Sequence, residues 1–350
     1  MLTVPEAQQR LLPEMYPLLQ ARYRILQAVQ LMQPIGRRTL ADSLKMTERE
    51  IRKETDILRE QGLLDAQKSG MVCTDDGEIV IEKLRAIVYE WSGLTQLAKV
   101  LESHFGIQRV VVVPGDYNED HTILSMLGKE AALQFMSAAF DEQVVAVTGG
   151  KSVASLAQFL HPLDGQKDIT FVAARGGIGH EMQMQANTLV ATFAMQMETQ
   201  YRTLFLPEHL SEQAYQAMLT EPMVTEMMAF YDQADCVIHG IGSAEEMAIR
   251  RNSSPEDLRI LEEKGAVSEA FGYYFNADGE IVHRIRTIGI QLEQVQNSEQ
   301  VIAVAAGKQK VNAMLSYFKV APKQTIFVTD EAAAKAIAAK ISSIENKHLE

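Results

Sequence analysis

The sequence predicts an α/β protein with an N-terminal winged helix-turn-helix ahead of a doubly wound, mostly parallel sheet. Three observations carry that expectation. Residues 23–74 hold short helical patterns that close on a small hairpin pattern. After Gly106, β-branched runs ending in glycine or a polar turn alternate with helical patterns. A chain of 350 residues also exceeds the usual span of one core.

The elements follow in order. Tyr23 to Leu31 has apolar residues at helical spacing, and Pro34-Ile35-Gly36 ends that helix. Thr39-Leu-Ala-Asp42 reads as a capping box opening a short helix through Leu44, and Thr47-Glu-Arg-Glu50 opens a second one. In the second helix Ile51 and Leu58 share one face, leaving Arg49, Arg52, Lys53 and Asp56 on others. Gly62 stops it, and Leu63–Ala66 with Met71–Thr74 makes a hairpin turning at Ser69-Gly70. Helix, helix, turn, helix and wing form a winged helix-turn-helix over residues 1–75. Its second short helix would enter the major groove with Thr47, Arg49, Arg52 and Lys53 near bases and phosphates, while Arg37, Arg38 and Lys68 clamp the backbone.

Val80, Leu84, Ile87, Trp91, Leu94, Ala98 and Leu101 alternate by four and three, a heptad seam across residues 76–106 that Gly93 interrupts. Two readings stand: a connecting helix that pairs with a second copy, or an amphipathic helix lying on its own domain. A paired helix would suit a helix-turn-helix reading two half-sites.

Residues 107–350 carry Arg109–Pro114, Val144–Thr148, Ile169–Ala174, Cys236–His239, Val301–Ala305 and Thr325–Val328 as short, nearly continuous apolar runs, the signature of strands buried on both faces. Helices are expected at Ser152–Leu160 and Glu331–Ile341. Ala270–Ile285 reads as a hairpin turning at Asn276–Gly279.

Composition excludes several classes. The two cysteines, Cys73 and Cys236, lack a C-x-x-C partner, which argues against a zinc site or a disulfide framework. No segment approaches a membrane span, and Glu6, Arg10 and Glu14 interrupt any leader peptide, so a soluble cytoplasmic chain is expected. Net charge is −13, yet Met1–Gly62 holds ten Lys+Arg against eight Asp+Glu, a mildly basic head on an acidic body.

In a doubly wound sheet ligands gather beyond the carboxyl ends of the strands. There AVTGGKSVASLA (Ala146–Ala157) delivers Gly149-Gly150 into a helix, with Lys151 and Ser152 beside it. It lacks the first glycine of a P-loop, since Val145 holds that place. Backbone N–H groups at the glycines and the positive end of the helix would cradle an anion, although strand-Gly-Gly-helix turns also recur for tight packing alone. Other strand ends add cations: Arg175, Arg250-Arg251 and the Gly307–Lys310 turn. Together they point to a ligand with more than one phosphate, and Gln185 and Glu269 are placed to bond sugar hydroxyls. Enzyme patterns fail: His180-Glu181-Met-Gln-Met184 lacks the second histidine of H-E-x-x-H, and neither a G-x-S-x-G nor a G-x-G-x-x-G opens a helix. Glu269 is the one visible candidate for the base that a sugar-phosphate isomerase with an appended head would require. No catalytic residue or metal ligand is assigned.

The runs QPIGRR (Gln33–Arg38), AVTGG (Ala146–Gly150), ARGGIG (Ala174–Gly179), QANT (Gln185–Thr188), HGIG (His239–Gly242), RRN (Arg250–Asn252) and EAFGYYFNADGE (Glu269–Glu280) extend this reading. With them the chain resembles, over nearly its whole length, the SorC/DeoR-type bacterial transcriptional regulators, whose effector domain looks like that of sugar-phosphate isomerases. The resemblance implies a repressor of a glycolytic operon, induced by fructose 1,6-bisphosphate and without a cofactor. It also implies a homo-oligomer, dimer to tetramer on operator DNA. The family's sugar-binding positions fall on Gly149, Gly150, Lys151, Ser152, Arg175, Gln185, Arg250, Arg251, Glu269 and Lys310. Relatives carry two threonines where Lys151-Ser152 stand here. A ligand-free DNA-binding oligomer remains the third alternative.

Overall fold

The protein is described by a computed structural model covering residues 10–120, 122–165, 168–177, 181–207 and 210–347. Glu6, Ile178, Gly179 and His180, which entered the sequence reading, lie outside the described residues. The chain divides into two compact units, one running through Leu97 with Pro114–Met126, the other comprising Ala98–Val113 and the residues from Leu127 on.

The first unit contains α1 (Met15–Met32), α2 (Arg37–Leu44), α3 (Glu48–Glu60), a hairpin of β1 (Leu64–Gln67) and β2 (Gly70–Cys73), and α4 (Asp75–Trp91). Its core is built from Ile25, Leu26, Val29, Leu40, Leu44, Ile51 and Leu58, joined by Leu64 and Met71 from the hairpin and Ile81 and Val88 from α4. Ile35 exchanges backbone hydrogen bonds with Met71, at 3.0 and 2.8 Å, so the QPIGRR turn is clasped to the wing. The Gln33 side chain adds a bond from the Cys73 N–H at 2.7 Å.

Thr47 makes both arms of the expected capping box with Glu50, and Gly62 follows the end of α3 at φ 74°. Thr39 does not cap. The helix begins at Arg37 with the extended Gly36 at its N-cap position, leaving Thr39 inside the first turn. After the clasped Ile35 the chain turns into the helix three residues before the expected start.

The heptad seam is two helices. α4 stops at Trp91, Gly93 adopts φ 74°, and α5 runs Leu94–Phe105. A left-handed residue cannot continue a right-handed helix, and glycine enters that region without steric cost. In α4 the buried apolar side chains are Ile81 and Val88, seven apart, while Ile87 of the seam is exposed.

In the second unit, seven strands among the described residues form one parallel sheet. They are β3 (Arg109–Val113), β4 (Gln143–Val147), β5 (Ile169–Ala173), β6 (Gln200–Arg202), β7 (Cys236–Gly240), β12 (Gln300–Val304) and β13 (Thr325–Asp330), in the order β3-β13-β12-β7-β4-β5-β6. The six predicted runs are the central strands and one edge. β6 is three residues long and gives no periodic signal. The direction of strand addition reverses between β7 and β4, which sets a crevice beyond their carboxyl ends. A second sheet, of β8 (Gly242–Ser243), β9 (Ala266–Ala270), β10 (Tyr273–Asn276) and β11 (Ile281–Arg284), is antiparallel, in the order β11-β10-β9-β8. The hairpin turning at Asn276–Gly279 is its outer half.

The helix expected over Ser152–Leu160 is shorter and broken. Lys151–Ala154 forms one turn and Ala157–Phe159 a 3-10 turn, with the Ser155 hydroxyl donating back to the Ser152 carbonyl at 2.7 Å. Such a bond competes with regular continuation. The helix expected from Glu331 runs to Lys347. No helix among the described residues is long and apolar enough to cross a membrane.

A histidine is among the titratable groups buried in the sheet core. His239 on β7 is fully buried; its Nδ1–H donates to the Gly240 carbonyl at 3.0 Å, and its Nε2 accepts from the Tyr317 hydroxyl at 3.0 Å. Burial lowers its pKa from the usual 6.5 to about 4, against smaller opposing effects of the Gly240 carbonyl and Glu269. Between those values the unfolded chain takes up a proton that the folded chain refuses. The contribution is therefore complete above the unfolded pKa of 6.5 and falls as pH drops toward 4. Urea unfolding should show this residue costing about 2 kcal/mol of stability on going from neutral pH to about pH 5, and a folded His239→Gln protein should lose that part of the slope.

Candidate functional site

The cationic residues predicted at separate strand ends meet through one carboxylate. Arg175 directly follows β5, Glu269 lies in β9, and Arg251 caps the C-terminus of the helix Ala244–Arg250, here α11. Glu269 Oε1 accepts from Arg251 Nη2 at 2.9 Å, from Arg175 Nη1 at 3.3 Å and from the Gly272 N–H at 2.6 Å. All three side chains are buried, at 5–6% exposure. Gly272 (φ 82°) is forced: a Cβ there would strike Arg175 Nη2, and the preceding Phe271 also sits at positive φ. Arg251 further donates to the Tyr274 hydroxyl at 2.9 Å and lies over that ring. Two guanidinium groups thus share one buried carboxylate oxygen, a grouping of cations of the kind that favours an anionic ligand.

This arrangement sharpens three expectations. Arg175 and Arg251 are fixed in the wall by Glu269 instead of projecting from exposed loops. Glu269 is held by the pair through one oxygen, while Oε2 faces Gly242. Its carboxyl has little of a general base: burial alone would raise its pKa, but Arg251, Arg175 and the Gly272 N–H together hold it below the usual carboxylate range. A base poised for proton transfer near neutrality needs the opposite shift.

The Gly-Gly loop joins this wall through the segment before helix α8 (Ala186–Met197). A Cβ on Gly149 would lie 2.5 Å from the Met184 carbonyl, and the Gly150 N–H donates to that same carbonyl at 2.9 Å. One expected anion donor is thus already engaged, and the one-turn helix behind it is too short to concentrate a macrodipole. Lys151 is exposed and Ser152 partly so, at its first two positions. Gln185 stands at the N-cap position of α8, before the helix rather than on it, and a Cβ on Gly177 would be 3.5 Å from its Oε1.

The adjacency therefore runs unbroken from Gly149-Gly150 through Met184, Gln185, Gly177 and Arg175 to Glu269 and Arg251. Arg250 follows at the end of α11, and Lys310, on the turn after β12, reaches Glu246 of the same helix at 3.4 Å. Contacts link Gly149, Gly150, Arg175, Arg251 and Glu269 into this run, with Gln185 beside it; Lys151, Ser152 and Arg250 adjoin it in sequence, and Lys310 contacts Glu246 of α11. The sequence reading missed Gly272, although the EAFGYYFNADGE run contains it, and Glu246, whose place in a Ser-x-x-Glu pattern marks a helix start and nothing more. Among the described residues no His, Cys, Asp and Glu group is arranged to hold a metal ion.

In the first unit Arg38, Arg49, Arg52, Lys53 and Lys68 are exposed, with Lys68 in the wing turn. Arg37 and Thr47 are partly committed. Arg37 Nη2 bonds Asp56 Oδ1 at 2.5 Å, tying α2 to α3, and the Thr47 hydroxyl is occupied with Glu50.

Removing the bridging carboxylate should leave two buried guanidinium groups facing each other. Glu269→Ala is expected to cost about 3–5 kcal/mol in urea unfolding, whereas truncating an exposed residue such as Lys151 should change stability by less than about 0.5 kcal/mol.

Comparison with known proteins agrees with the two units. Residues 18–88 match the family of CggR N-terminal DNA binding domains, and residues 89–339 match the family described as "Putative sugar-binding domain". The chain is 42% identical to the central glycolytic genes regulator of Priestia megaterium (strain DSM 319 / IMG 1521) over 94% of this chain and 96% of that one. It is 39% identical to the regulator of the same name from Bacillus subtilis (strain 168) over 94% and 97%. A SorC family transcriptional regulator from Enterococcus faecalis, solved by crystallography, superposes with a TM-score of 0.66 at 39% identity, covering 69% of this chain and 99% of that one. The full-length sorbitol operon regulator SorC from Klebsiella pneumoniae shares the fold at 18% identity and a TM-score of 0.64, over 91% and 98%. With a DNA-binding head and a sugar-binding body both matched along almost its whole length, the chain belongs to the SorC family of transcriptional regulators, in the branch of the central glycolytic genes regulators.

Proposed function

We propose that this chain represses glycolytic genes in the cytoplasm by binding operator DNA as a homo-oligomer, dimer to tetramer, and that fructose 1,6-bisphosphate modulates that binding. The observation that carries the effector assignment is the continuous wall from Gly149-Gly150 to Lys310. It includes the Arg175–Glu269–Arg251 cluster; Lys151 adjoins the Gly-Gly turn in sequence, Arg250 adjoins Arg251, and Lys310 contacts Glu246 of the same helix. A sugar with a phosphate at each end matches charge at both ends and hydroxyl-bonding groups, Gln185 and Glu269, between them. The names of the relatives, which regulate central glycolytic genes, support the same metabolite class.

For the DNA unit, Arg49, Arg52 and Lys53 on the exposed face of α3 meet the major groove, while Arg38 and Lys68 meet phosphates. In the proposed mechanism the two phosphates draw the Gly-Gly loop and the α11–Lys310 side onto the fixed arginine wall. Bound sugar then alters how copies of the chain associate. A ligand shifts an equilibrium only by its differential affinity, so the expected coupling is about 1–3 kcal/mol, or about 5- to 150-fold in operator affinity.

Two experiments test the reading. In a gel-shift assay, Arg52→Ala with Lys53→Ala should abolish operator binding while leaving the sugar site intact. Adding fructose 1,6-bisphosphate should weaken or remodel the wild-type complex, and Arg250→Ala should bind DNA but lose that response. Unaltered DNA binding in the first case, or an unchanged response in the second, would contradict it.

A further inference from the structure

The anion end of the site already holds an anion. Glu246 Oε2 lies 3.4 Å from Lys310 Nζ, where a phosphate oxygen would have to sit, and Glu246 is four residues before Arg250 on α11, so both share one helix face. Ser243-Ala-Glu-Glu246 is a capping-box sequence, and a glutamate in that position ordinarily turns back to the N-cap N–H, as Glu50 does to Thr47. Here only the first arm is made. The Ser243 hydroxyl accepts from the Glu246 N–H at 3.3 Å, and the carboxylate reaches across to Lys310 instead. The lysine is not there by chance of a loose loop, because the Gly307 N–H donates to the fully buried Asp330 at 2.8 Å and pins the turn that carries it.

We infer that Glu246 is a resident competitor for the sugar phosphate, an affinity-setting residue that must leave Lys310 before the ligand can take it. The inference rests on the assignment of Lys310 and Arg250 to a phosphate. Both members of the pair are part-exposed, at 26% and 56%, so solvent screens them and the competition is modest. Displacement frees the carboxylate of α11, and the competition raises the ligand concentration at which the protein responds.

Isothermal titration of fructose 1,6-bisphosphate into the full-length chain provides the test. Glu246→Gln should bind about two- to fivefold more tightly than wild type. In a Lys310→Ala background the same substitution should bring no gain, because the charge it competes for is gone. Equal or weaker binding by Glu246→Gln, or a gain that persists undiminished without Lys310, overturns the inference while leaving the sugar site in place. Absence of binding by the wild-type chain would instead overturn the effector assignment, and the inference with it.

Discussion

The effector unit depends on one buried carboxylate. Glu269, on an inner strand of the second sheet, accepts from Arg175 in the loop after β5 and from Arg251 at the end of α11, and so joins three parts of the chain. Burying such ions is costly unless charge and hydrogen bonds are matched, and the close Gly272 turn is part of the match. The wall pays with stability for two guanidinium groups held together where water has little access. Under the proposed function a phosphate would meet donors already held in place there, with the exposed Lys151 beside the Gly-Gly turn.

Much of the fold was legible in the sequence because its strongest signals are local. The buried strands Val144–Val147, Ile169–Ala173 and Val301–Val304 read as unbroken β-branched runs, and the Thr47–Glu50 capping box names its own helix start. Where the reading failed, the deciding force was not local. Thr39 lost its cap to a clasp made by Ile35 with Met71, more than thirty residues away. The Ser152–Leu160 segment forms one α-turn and one 3-10 turn in place of a continuous helix. β8 and β9 went unseen because two- and five-residue segments declare themselves only through pairing partners.

The candidate site shows the same division. Residue types at strand ends, Gly149-Gly150, Arg175, Arg250-Arg251 and Lys310, were visible as a phosphate-binding composition, and of these Arg175 and Arg251 meet on Glu269. Their roles were not visible. Nothing in the spacing of Arg175, Arg251 and Glu269 says that they neutralise one another in part, or that Gly150 gives its N–H to Met184. Pairing across the fold turns a list of exposed cations into a rigid wall with responsive edges, which is what a sensor needs if binding is to move something else.

The central claim is that the sugar site and the DNA head report on each other. Thermodynamic reciprocity gives its most direct test: the affinity of the full-length chain for fructose 1,6-bisphosphate, measured with and without saturating operator DNA. The account predicts that DNA weakens sugar binding by the same factor, about 5- to 150-fold, by which the sugar weakens DNA binding. Sugar binding of equal strength in the free and the DNA-bound protein would contradict it.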